Sequence, residues 1–465
     1  MKRLVVINAV GLCEANLGAH TPRIQAYRDR CSATRIKPAF PAVTCTAQSN
    51  YVTGKSATEH GIVANGWYNR EMAEVHFWKQ ANATVRSEKI WDVLKRRNSE
   101  FTCAKLFWWY NMYSSADVSL TPRPMYPADG RKVFDIYGYP LSIREEIKND
   151  LGPFPFPTFW GPAAGKQTPQ GSPDAVSRWI AESAKWVEDR YAPTLSLVYL
   201  PHLDYNLQRL GPQHPEIHLD YQRLDAIVGD LIDYFEARDV QVCVLSEYGI
   251  SEVDRPLHLN RLFREQGWLT VKDELGRELL DCGQSRVFGV ADHQVCHVYL
   301  NDLSLKNDVR ALLEKTEGVA EVLDESGKQA RGIDHERAGN LIAVADDRSW
   351  FTYYYWMDDA RAPDFARCVD IHRKPGYDPV ELFVDPALRF PKLRILRRLL
   401  QKKLGFRMLM DVIPLDAQLV KGSHGNCPQN QREYPVMIAP GTRIGGGEMI
   451  DSTGVFDELL RLVDA

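Results

Sequence analysis

Residues 38–66 have the sequence Pro-Ala-Phe-Pro-Ala-Val-Thr44-Cys-Thr-Ala-Gln-Ser-Asn-Tyr-Val-Thr53-Gly54-Lys-Ser-Ala-Thr-Glu-His60-Gly61-Ile-Val-Ala-Asn65-Gly66. A hydroxyl is a poor nucleophile at neutral pH unless a base or a metal ion activates it. If Thr44 is a nucleophile, it should lie at a helix N-terminus, where free N–H groups and the helix dipole favour an anion. The alternative is that Thr44 only caps a helix that begins near Cys45. The two roles are compatible.

The ordered Thr, Thr-Gly, His-Gly-Ile and Asn pattern resembles the nucleotide pyrophosphatase/phosphodiesterase (type I phosphodiesterase) branch of the alkaline phosphatase superfamily. In that family the threonine attacks phosphorus and the later asparagine holds a non-bridging phosphoryl oxygen. The resemblance therefore implies that Thr44 is the nucleophile and that Asn65 clamps the oxygen. It also implies an alkaline-phosphatase-like α/β fold with a mostly parallel central sheet flanked by helices.

The chain of 465 residues is 44% hydrophobic and 25% charged, which suffices for one large core with an inserted subdomain. Its formal net charge of −4 and its pI near 6.3 give no overall basic footprint. We therefore expect no nucleic-acid partner. The resemblance implies a phosphorylated small-molecule substrate.

Residues 1–10 run from two basic residues directly into a short apolar segment of strand length. This pattern predicts a first core strand, because a signal peptide has a longer apolar region and a small-residue cleavage site. The sequence contains no run of ~18 apolar residues that would predict a transmembrane helix. Nine cysteines without a CxxC pair predict reduced thiols and a cytoplasmic location.

Apolar runs of strand length alternate with helical stretches, which is typical of a parallel α/β sheet. The clearest strands are residues 4–10, 194–200 and 240–245. The clearest helices are residues 173–191 and 217–238. Polar residues lie at or directly after the end of each strand, and ligands of open α/β sheets bind at these carboxyl ends. The sequence therefore predicts the functional site at this edge.

The predicted α/β core comprises residues 1–265 and 357–465. Residues 67–175 are rich in Trp, Tyr, Phe and Pro and are predicted to contain cap-like insertions over the site. Residues 286–356 alternate strand and helix patterns, which predicts a small inserted α+β subdomain.

Members of the family hold two zinc ions through a first-strand Asp, the Thr, an Asp with a His four residues later, an Asp-His pair and a C-terminal His. The corresponding segments here are Asp204 with Gln208, Ser246-Glu247-Tyr248-Gly249, Gly422-Ser423-His424-Gly425, and Asn8 near the first-strand position. The resemblance implies Thr44, Asp204, Glu247 and His424 as metal ligands, and Asn8 can offer an amide oxygen. Zinc is the metal that the resemblance favours. The donor set suits one zinc, magnesium or manganese ion, or none, better than two ions.

Other histidines are candidates to complete the site. His202, two residues before Asp204, is predicted as a metal ligand, and His372 as a substrate-binding residue at another strand end. His293 and His297 could face the site only as part of a lid. For each of them the alternative is a histidine whose ring nitrogens are satisfied by ordinary hydrogen bonds.

Several residues are candidates for substrate binding. The aromatic run at residues 107–110 could stack on a nucleobase or a prenyl chain, although core or lid packing explains it equally well. Arg123 is a candidate phosphate clamp because a guanidinium matches phosphate geometry. The predicted substrate-binding set is Trp108, Trp109, Tyr110, Arg123, Gln208, Tyr248 and His372.

Residues 389–407 form a basic tract with leucines near helical spacing. The tract could be an amphipathic helix that lies on an anionic membrane or recruits a phosphorylated substrate. The alternative is a docked helix with a solvated basic face.

The main hypothesis is a metal-assisted hydrolase that cleaves a phosphodiester, pyrophosphate or related phosphoryl or phosphonate bond through a covalent Thr44 intermediate. Two alternatives remain. One is a catalytically silent relative that keeps the pocket for binding, and the other is a transferase with an altered metal site.

Overall fold

The computed structural model describes residues 1–441 and 449–464. Its strands are β1 (Leu4–Ala9), β2 (Ser32–Lys37), β3 (Gly66–Asn69), β4 (Glu74–Phe77), β5 (Cys103–Leu106), β6 (Val118–Pro122), β7 (Ile136–Tyr139), β8 (Leu195–Leu200), β9 (Gln241–Leu245), β10 (Ser251–Glu252), β11 (Arg255–Leu257), β12 (Val271–Glu274), β13 (Arg277–Leu280), β14 (Val287–Asp292), β15 (Val295–Leu300), β16 (Val319–Leu323), β17 (Leu341–Ala345), β18 (Ser349–Phe351), β19 (Gly422–Ser423), β20 (Val436–Ala439) and β21 (Met449–Asp451).

Its α-helices are α1 (Pro22–Arg30), α2 (Thr44–Thr53), α3 (Ala57–His60), α4 (Ile90–Arg97), α5 (Ile143–Leu151), α6 (Ala175–Tyr191), α7 (His202–Leu210), α8 (His218–Glu236), α9 (Leu259–Glu265), α10 (Lys306–Lys315), α11 (Glu325–Ala330), α12 (Pro391–Lys403) and α13 (Val455–Asp464). The strands and helices predicted most clearly from the sequence are confirmed as β1, β8, β9, α6 and α8, with ends shifted by one to two residues.

The main sheet has the strand order β21-β2-β20-β9-β1-β8-β5-β6-β7 among the described residues. Strand β1 pairs in parallel with β8 and β9, and β5 pairs in parallel with β8 and β6. Strand β20 is antiparallel to its neighbours β2 and β9, and β7 is antiparallel to β6. The predicted α/β fold with a mostly parallel central sheet is confirmed.

Helices cover both faces of this sheet, which explains why β1 is buried along its whole length. Val5 and Ile7 point toward the side of α6 and α8, whereas Leu4 and Val6 pack with α2, α4 and α13. Successive side chains of a strand alternate between faces, so a run of apolar residues is needed when both faces are covered. Because β1 pairs in parallel with both β8 and β9, the carboxyl ends of the three strands lie together at one edge of the sheet.

A second sheet is antiparallel, with the order β14-β15-β17-β16. It comes from residues 287–345, within the segment predicted as an inserted subdomain, and its helices include α10 and α11. The β14–β15 turn contains Asp292 and His293, and His293 has a φ of 59°. The domain boundaries drawn from the sequence stay a prediction.

All nine cysteines are free thiols.

Within residues 1–441 and 449–464, no helix combines the length and apolar character needed to cross a bilayer.

Candidate active site

Thr44 is the first residue of α2, and its side chain is buried. The N-cap position belongs to Val43, so Thr44 is not the cap that the sequence left as an alternative. The backbone N–H of Cys45 instead donates to Asn65 Oδ1 at 3.0 Å. The Thr44 hydroxyl lies 3.1 Å from the Tyr248 hydroxyl. The helix N-terminus thus presents Thr44 at the carboxyl-end edge of the sheet.

Tyr248 connects Thr44 to a carboxyl group. Its hydroxyl donates to Asp204 Oδ1 at 3.3 Å, and Gln208 Nε2 donates to Asp204 Oδ2 at 2.6 Å. Because Tyr248 donates to Asp204, its oxygen is free to accept the proton of Thr44. Burial raises the pKa of Asp204 to about 7, although the hydrogen bonds from Tyr248 and Gln208 lower it in part.

His424 stacks on the Tyr248 ring, with ring centroids 3.8 Å apart and an interplanar angle of 6°. Its Nδ1 donates to the carbonyl oxygen of Ala42 at 2.8 Å, which leaves Nε2 unprotonated and 3.9 Å from Asp204 Oδ1. Burial lowers the pKa of His424 to about 3, so the imidazole is neutral.

Two glycines permit this close packing. A Cβ at Gly249 would lie 2.0 Å from the carbonyl oxygen of Glu433, and a Cβ at Gly422 would lie 2.1 Å from the carbonyl oxygen of Leu207. The first contact fixes the chain beside Tyr248. The second brings the turn that carries His424 against α7, where Asp204 lies.

Glu247 lies behind Thr44. Its Oε1 accepts hydrogen bonds from Asn8 Nδ2 and Gln48 Nε2, both at 2.6 Å. Burial raises the pKa of Glu247 to about 8, and the two amides offset only part of this effect. Gln48 Oε1 also accepts from the Trp109 backbone N–H at 2.7 Å, so this network fixes the wall of the cavity.

Asn65 belongs to a second polar cluster. Its Nδ2 donates to Asp292 Oδ1 at 3.2 Å and to the Tyr377 hydroxyl at 3.1 Å. The Tyr377 hydroxyl donates to Asp292 Oδ1 at 2.9 Å and lies 3.1 Å from His293 Nε2. Burial raises the pKa of Asp292 to about 6. The His293 ring lies 3.9 Å from the His424 ring, so the two clusters meet.

The two clusters enclose a cavity of about 40 Å³. The lining side chains are mostly aromatic, and none is Lys or Arg: Thr44, Asn65, Trp78, Trp109, Phe159, Trp160, Tyr199, Pro201, Asp204, Tyr205, Tyr248, His293, Ile371, Tyr377 and His424.

The sequence profile of the type I phosphodiesterase / nucleotide pyrophosphatase family matches residues 4–378. The chain belongs to this family. The family is enzymatic and hydrolyses phosphoryl bonds.

The chain is also similar to individual proteins. An uncharacterized pyrophosphatase/phosphodiesterase of Schizosaccharomyces pombe is 24% identical over 256 residues, which are 52% of this chain and 44% of the relative. The chain thus spans less than half the length of that curated relative. Human ectonucleotide pyrophosphatase/phosphodiesterase 5 superposes with a TM-score of 0.60 at 14% identity, covering 100% of this chain and 95% of the other.

Phosphonoacetate hydrolase from Sinorhizobium meliloti, solved in complex with phosphonoformate, superposes with a TM-score of 0.61 at 13% identity. The match covers 100% of this chain and 96% of the hydrolase. At these identities the structural likeness establishes the fold.

The predicted site residues fall into three groups. Those that line the cavity are Thr44, Asn65, Trp109, Asp204, Tyr248 and His424. Those that hold the lining residues from behind are Asn8, Glu247 and Gln208. Those outside the lining are Trp108, Tyr110, Arg123, His202 and His372.

His202 faces away from Asp204 because the chain is already helical there. Both residues lie in the first turn of α7. Side chains two positions apart in an α-helix point in directions that differ by about 200°. The His202 Nε2 lies 3.4 Å from the carbonyl oxygen of Asp220 on α8. Asp204 and Gln208, four residues apart, share one face instead. His202 is therefore not part of the proposed site.

The aromatic run also divides. Phe107 and Tyr110 have φ values of 64° and 51°, which break the extended backbone. Trp108 packs into the core with Ile90 and Trp91, whereas Trp109 reaches the cavity. Tyr110 is buried against Cys45 of α2 and does not line the cavity.

Arg123 is exposed and donates to the carbonyl oxygen of Pro124. His372 lies behind Trp109, with ring centroids 6.4 Å apart, and burial lowers its pKa to about 4. Both residues are therefore positioned outside the cavity wall.

The sequence reasoning missed Asp292 and Tyr377, and it weighed His293 only as part of a lid. Asp292 and His293 are polar residues that interrupt an apolar hairpin. Because buried polar groups need hydrogen-bond partners, this pattern is the sequence signal that indicates a polar site at the turn. His297, by contrast, is held by the carbonyl oxygen of Val63 and the N–H of Gly339, as an ordinary core histidine.

The family uses divalent metal ions. Across residues 1–441 and 449–464, no three His, Cys, Asp or Glu side chains converge so that they could hold a metal ion. Both oxygens of Asp204 and Oε1 of Glu247 already accept hydrogen bonds from neutral donors. Asn8, Gln208 and Tyr248 occupy positions where the resemblance implied charged or imidazole ligands. The residues present do not fit the two-metal site of the family.

Proposed function

We propose that this protein cleaves a phosphodiester, pyrophosphate or related phosphoryl or phosphonate bond through a covalent Thr44 intermediate. The observation that carries the proposal is the continuous hydrogen-bond path from Thr44 through Tyr248 to Asp204 at the wall of the cavity. Family membership supports the reaction class. The position of Thr44 at the first turn of α2 supports its role as the attacking group.

In the first step, the Thr44 oxygen attacks phosphorus and the bond to the leaving group breaks, so that the leaving group departs as an anion and takes up any proton from solvent. The Thr44 proton passes to the Tyr248 oxygen while the Tyr248 proton passes to Asp204, so Asp204 ends protonated. Water then attacks the phosphothreonine, so that a bond forms between the water oxygen and phosphorus and the bond between phosphorus and the Thr44 oxygen breaks. Thr44 regains its proton from Asp204 through Tyr248, and the protons of the water leave with the phosphate product or pass to solvent. A carboxylate with a pKa near 7 suits this exchange, because base and acid forms are both populated at neutral pH.

The negative charge of the phosphoryl group would be met by dipoles and polar hydrogens. No Lys or Arg lines the cavity, so the N-terminus of α2 is the fixed positive end nearest Thr44. An anion in the cavity would also favour the protonated forms of His293 and His424, whose burial holds their pKa values low in its absence.

The aromatic wall points to a bulky, partly apolar or cyclic leaving group. The groups around phosphorus contact only the phosphate that all such substrates have in common. Discrimination between substrates must therefore come from Trp109 and its aromatic neighbours. We expect Trp109→Leu to raise KM for an aromatic phosphodiester several-fold more than for a small alkyl ester. Equal effects on the two esters would assign Trp109 a structural role.

One observation favours binding without turnover as the second candidate function. Both amide hydrogens of Asn65 are engaged, by Asp292 and by Tyr377, so a phosphoryl oxygen must displace one of these bonds. Ligand binding to the wild-type protein without product formation across a phosphodiester, phosphomonoester and phosphonate panel would support this second function.

The direct test compares Thr44→Ala with Thr44→Ser on that panel. We expect alanine to lower kcat by roughly 10³-fold or more, because the attacking oxygen is lost, and serine to retain measurable turnover. Thermal unfolding controls for folding. A Thr44→Ala variant with the kcat of the wild type would contradict the covalent proposal. Product that forms only when an alcohol acceptor is added would indicate a transferase.

The zinc, magnesium or manganese dependence and the cytoplasmic location stay predictions from sequence. Elemental analysis of the purified protein, beside activity before and after chelation, tests the first. Fractionation of expressing cells tests the second.

A further inference from the structure

Helix α12 and its flanks present an apolar stripe to solvent. Leu393, Leu396, Leu400 and Leu404 are 63%, 62%, 54% and 65% exposed. At 100° per residue their directions fall within an arc of about 80°, so they form one continuous strip along the helix. No residue of α12 is buried. An exposed apolar strip that polar residues border is typical of an interaction site.

Basic side chains border this stripe. On the helical wheel Arg397 and Lys403 fall at its two edges, and Lys392 lies beyond Lys403. Residues 389–411 contain eight Lys and Arg against one acidic residue, Asp411, while the whole chain carries a formal net charge of −4. Positive charge is therefore in local excess around the apolar stripe, although the chain as a whole carries a negative formal charge.

The opposite face of the helix is attached to the protein. Arg394 and Arg398 pair with Asp411, and Lys402 Nζ lies 4.8 Å from the centre of the Phe134 ring. Ile395 and Gln401 are half-buried. The ion pairs use up the single acid, so among the described residues Lys392, Arg397 and Lys403 have no acidic partner.

We propose that residues 389–406 dock the protein on an anionic lipid bilayer. A leucine stripe bordered by Lys and Arg is the composition of helices that lie in the membrane interface, with the apolar face in the acyl boundary and the cations at anionic headgroups. A second copy of the chain is a poor occupant. A two-fold contact would set the same basic edges against one another.

The docked helix lies close to the candidate active site. Phe134, which Lys402 contacts, stacks on Phe156 with centroids 4.8 Å apart, and Phe156 contacts Phe159 in the cavity wall. If the proposed function holds, docking brings the cavity wall near substrates presented at a bilayer surface. Vesicle binding is measured without turnover, so its failure and that of the proposed function are distinguishable.

The test is co-sedimentation of the full chain with vesicles of phosphatidylcholine alone or with added phosphatidylserine. We expect binding only to the anionic vesicles and release at high salt. The variant Leu393→Gln/Leu396→Gln/Leu400→Gln should bind at least roughly tenfold more weakly. The charge-reversal variant Lys392→Glu/Arg397→Glu/Lys403→Glu should lose the preference for anionic vesicles. The matched control is Leu141→Gln/Leu275→Gln, two exposed leucines elsewhere, and it should bind as the wild type does.

Three results would overturn the proposal: no sedimentation of the wild type with anionic vesicles, an equal loss in the control, or binding that salt and charge reversal do not change. A dimer that the triple glutamine variant dissociates, without vesicle binding, would assign the stripe to a second copy. Circular dichroism of every variant verifies that the fold is retained.

Discussion

At the scale of single residues, the buried carboxyl groups of the site have no cationic partner among the lining side chains. Asp204 and Glu247 each receive hydrogen bonds from neutral groups. Their raised pKa values follow from burial that those bonds do not fully offset. The hydrogen-bond donors to these two carboxyl groups are thus side-chain amides and the Tyr248 phenol.

The pH dependence of kcat/KM should report Asp204. The proposed base acts as a carboxylate, which is populated above its pKa, so the rate should rise as pH increases through about 7 and then level off. Below that pH the slope should approach tenfold per unit. Asp204→Asn should lower the rate by about 10²–10⁴-fold and remove this limb.

The control for this profile is Glu247→Gln, which removes the neighbouring carboxyl titration but keeps the hydrogen-bonded shape. It should retain a rising limb near 7. A wild-type rate that is independent of pH between about 5 and 9, or one that falls as pH rises, would exclude Asp204 as the base.

At the scale of elements, the turn after β9 meets the segment that contains Glu433, and β19 meets α7, because backbone approaches backbone at Gly249 and Gly422. The Gly249→Ala change places a Cβ 2.0 Å from the Glu433 carbonyl oxygen. The backbone of residue 249 can move away from this contact only if the adjacent Tyr248 moves with it. We expect a loss of about 1–3 kcal/mol in the free energy of unfolding in urea, together with reduced turnover.

The matched control for that change is Gly454→Ala, whose new Cβ would lie 3.9 Å from its nearest neighbour, Ile450. It should alter stability by less than about 1 kcal/mol. Equal stability of the two alanine variants would show that the turn after β9 can relax, and that its close packing does not position Tyr248.

At the scale of the whole molecule, one ion pair is buried well away from water. Lys374 Nζ lies 2.5 Å from Glu381 Oε1, and both side chains are at most 2% exposed. Glu381 also accepts from Trp160 Nε1 at 3.1 Å, so the pair anchors part of the cavity wall. Burial raises the pKa of nearby Asp378 to about 7.

Lys374→Met should therefore destabilise the protein by about 3–5 kcal/mol at pH 8, because it leaves buried carboxylates without their cation. Where a carboxyl group has a raised pKa in the folded state, the free energy of unfolding falls as pH rises. The destabilisation caused by Lys374→Met should therefore shrink toward pH 5. Lys55→Met, which breaks an exposed pair with Glu59, should cost at most about 0.5 kcal/mol. Similar urea midpoints for the two variants would contradict the assignment.

The sequence predicted what depends on local pattern. Apolar runs located β1, β8 and β9, and the segment around Thr44 located the N-terminus of α2. It could not place Asp292 or Tyr377, because their contacts with Asn65 span 227 and 312 residues and arise only from tertiary packing. Trp108 and Trp109 could not be told apart either, since two unusual backbone conformations decide which one reaches the cavity.

The proposed mechanism requires Thr44 to carry the phosphoryl group during turnover. We would quench the reaction with acid within the first turnover and locate the modification by mass spectrometry of the peptide that contains residues 38–66. We expect a phosphoryl group on Thr44 in the wild type and none in Thr44→Ala. A burst of product with an unmodified Thr44, or with the phosphoryl group on another residue, would contradict it.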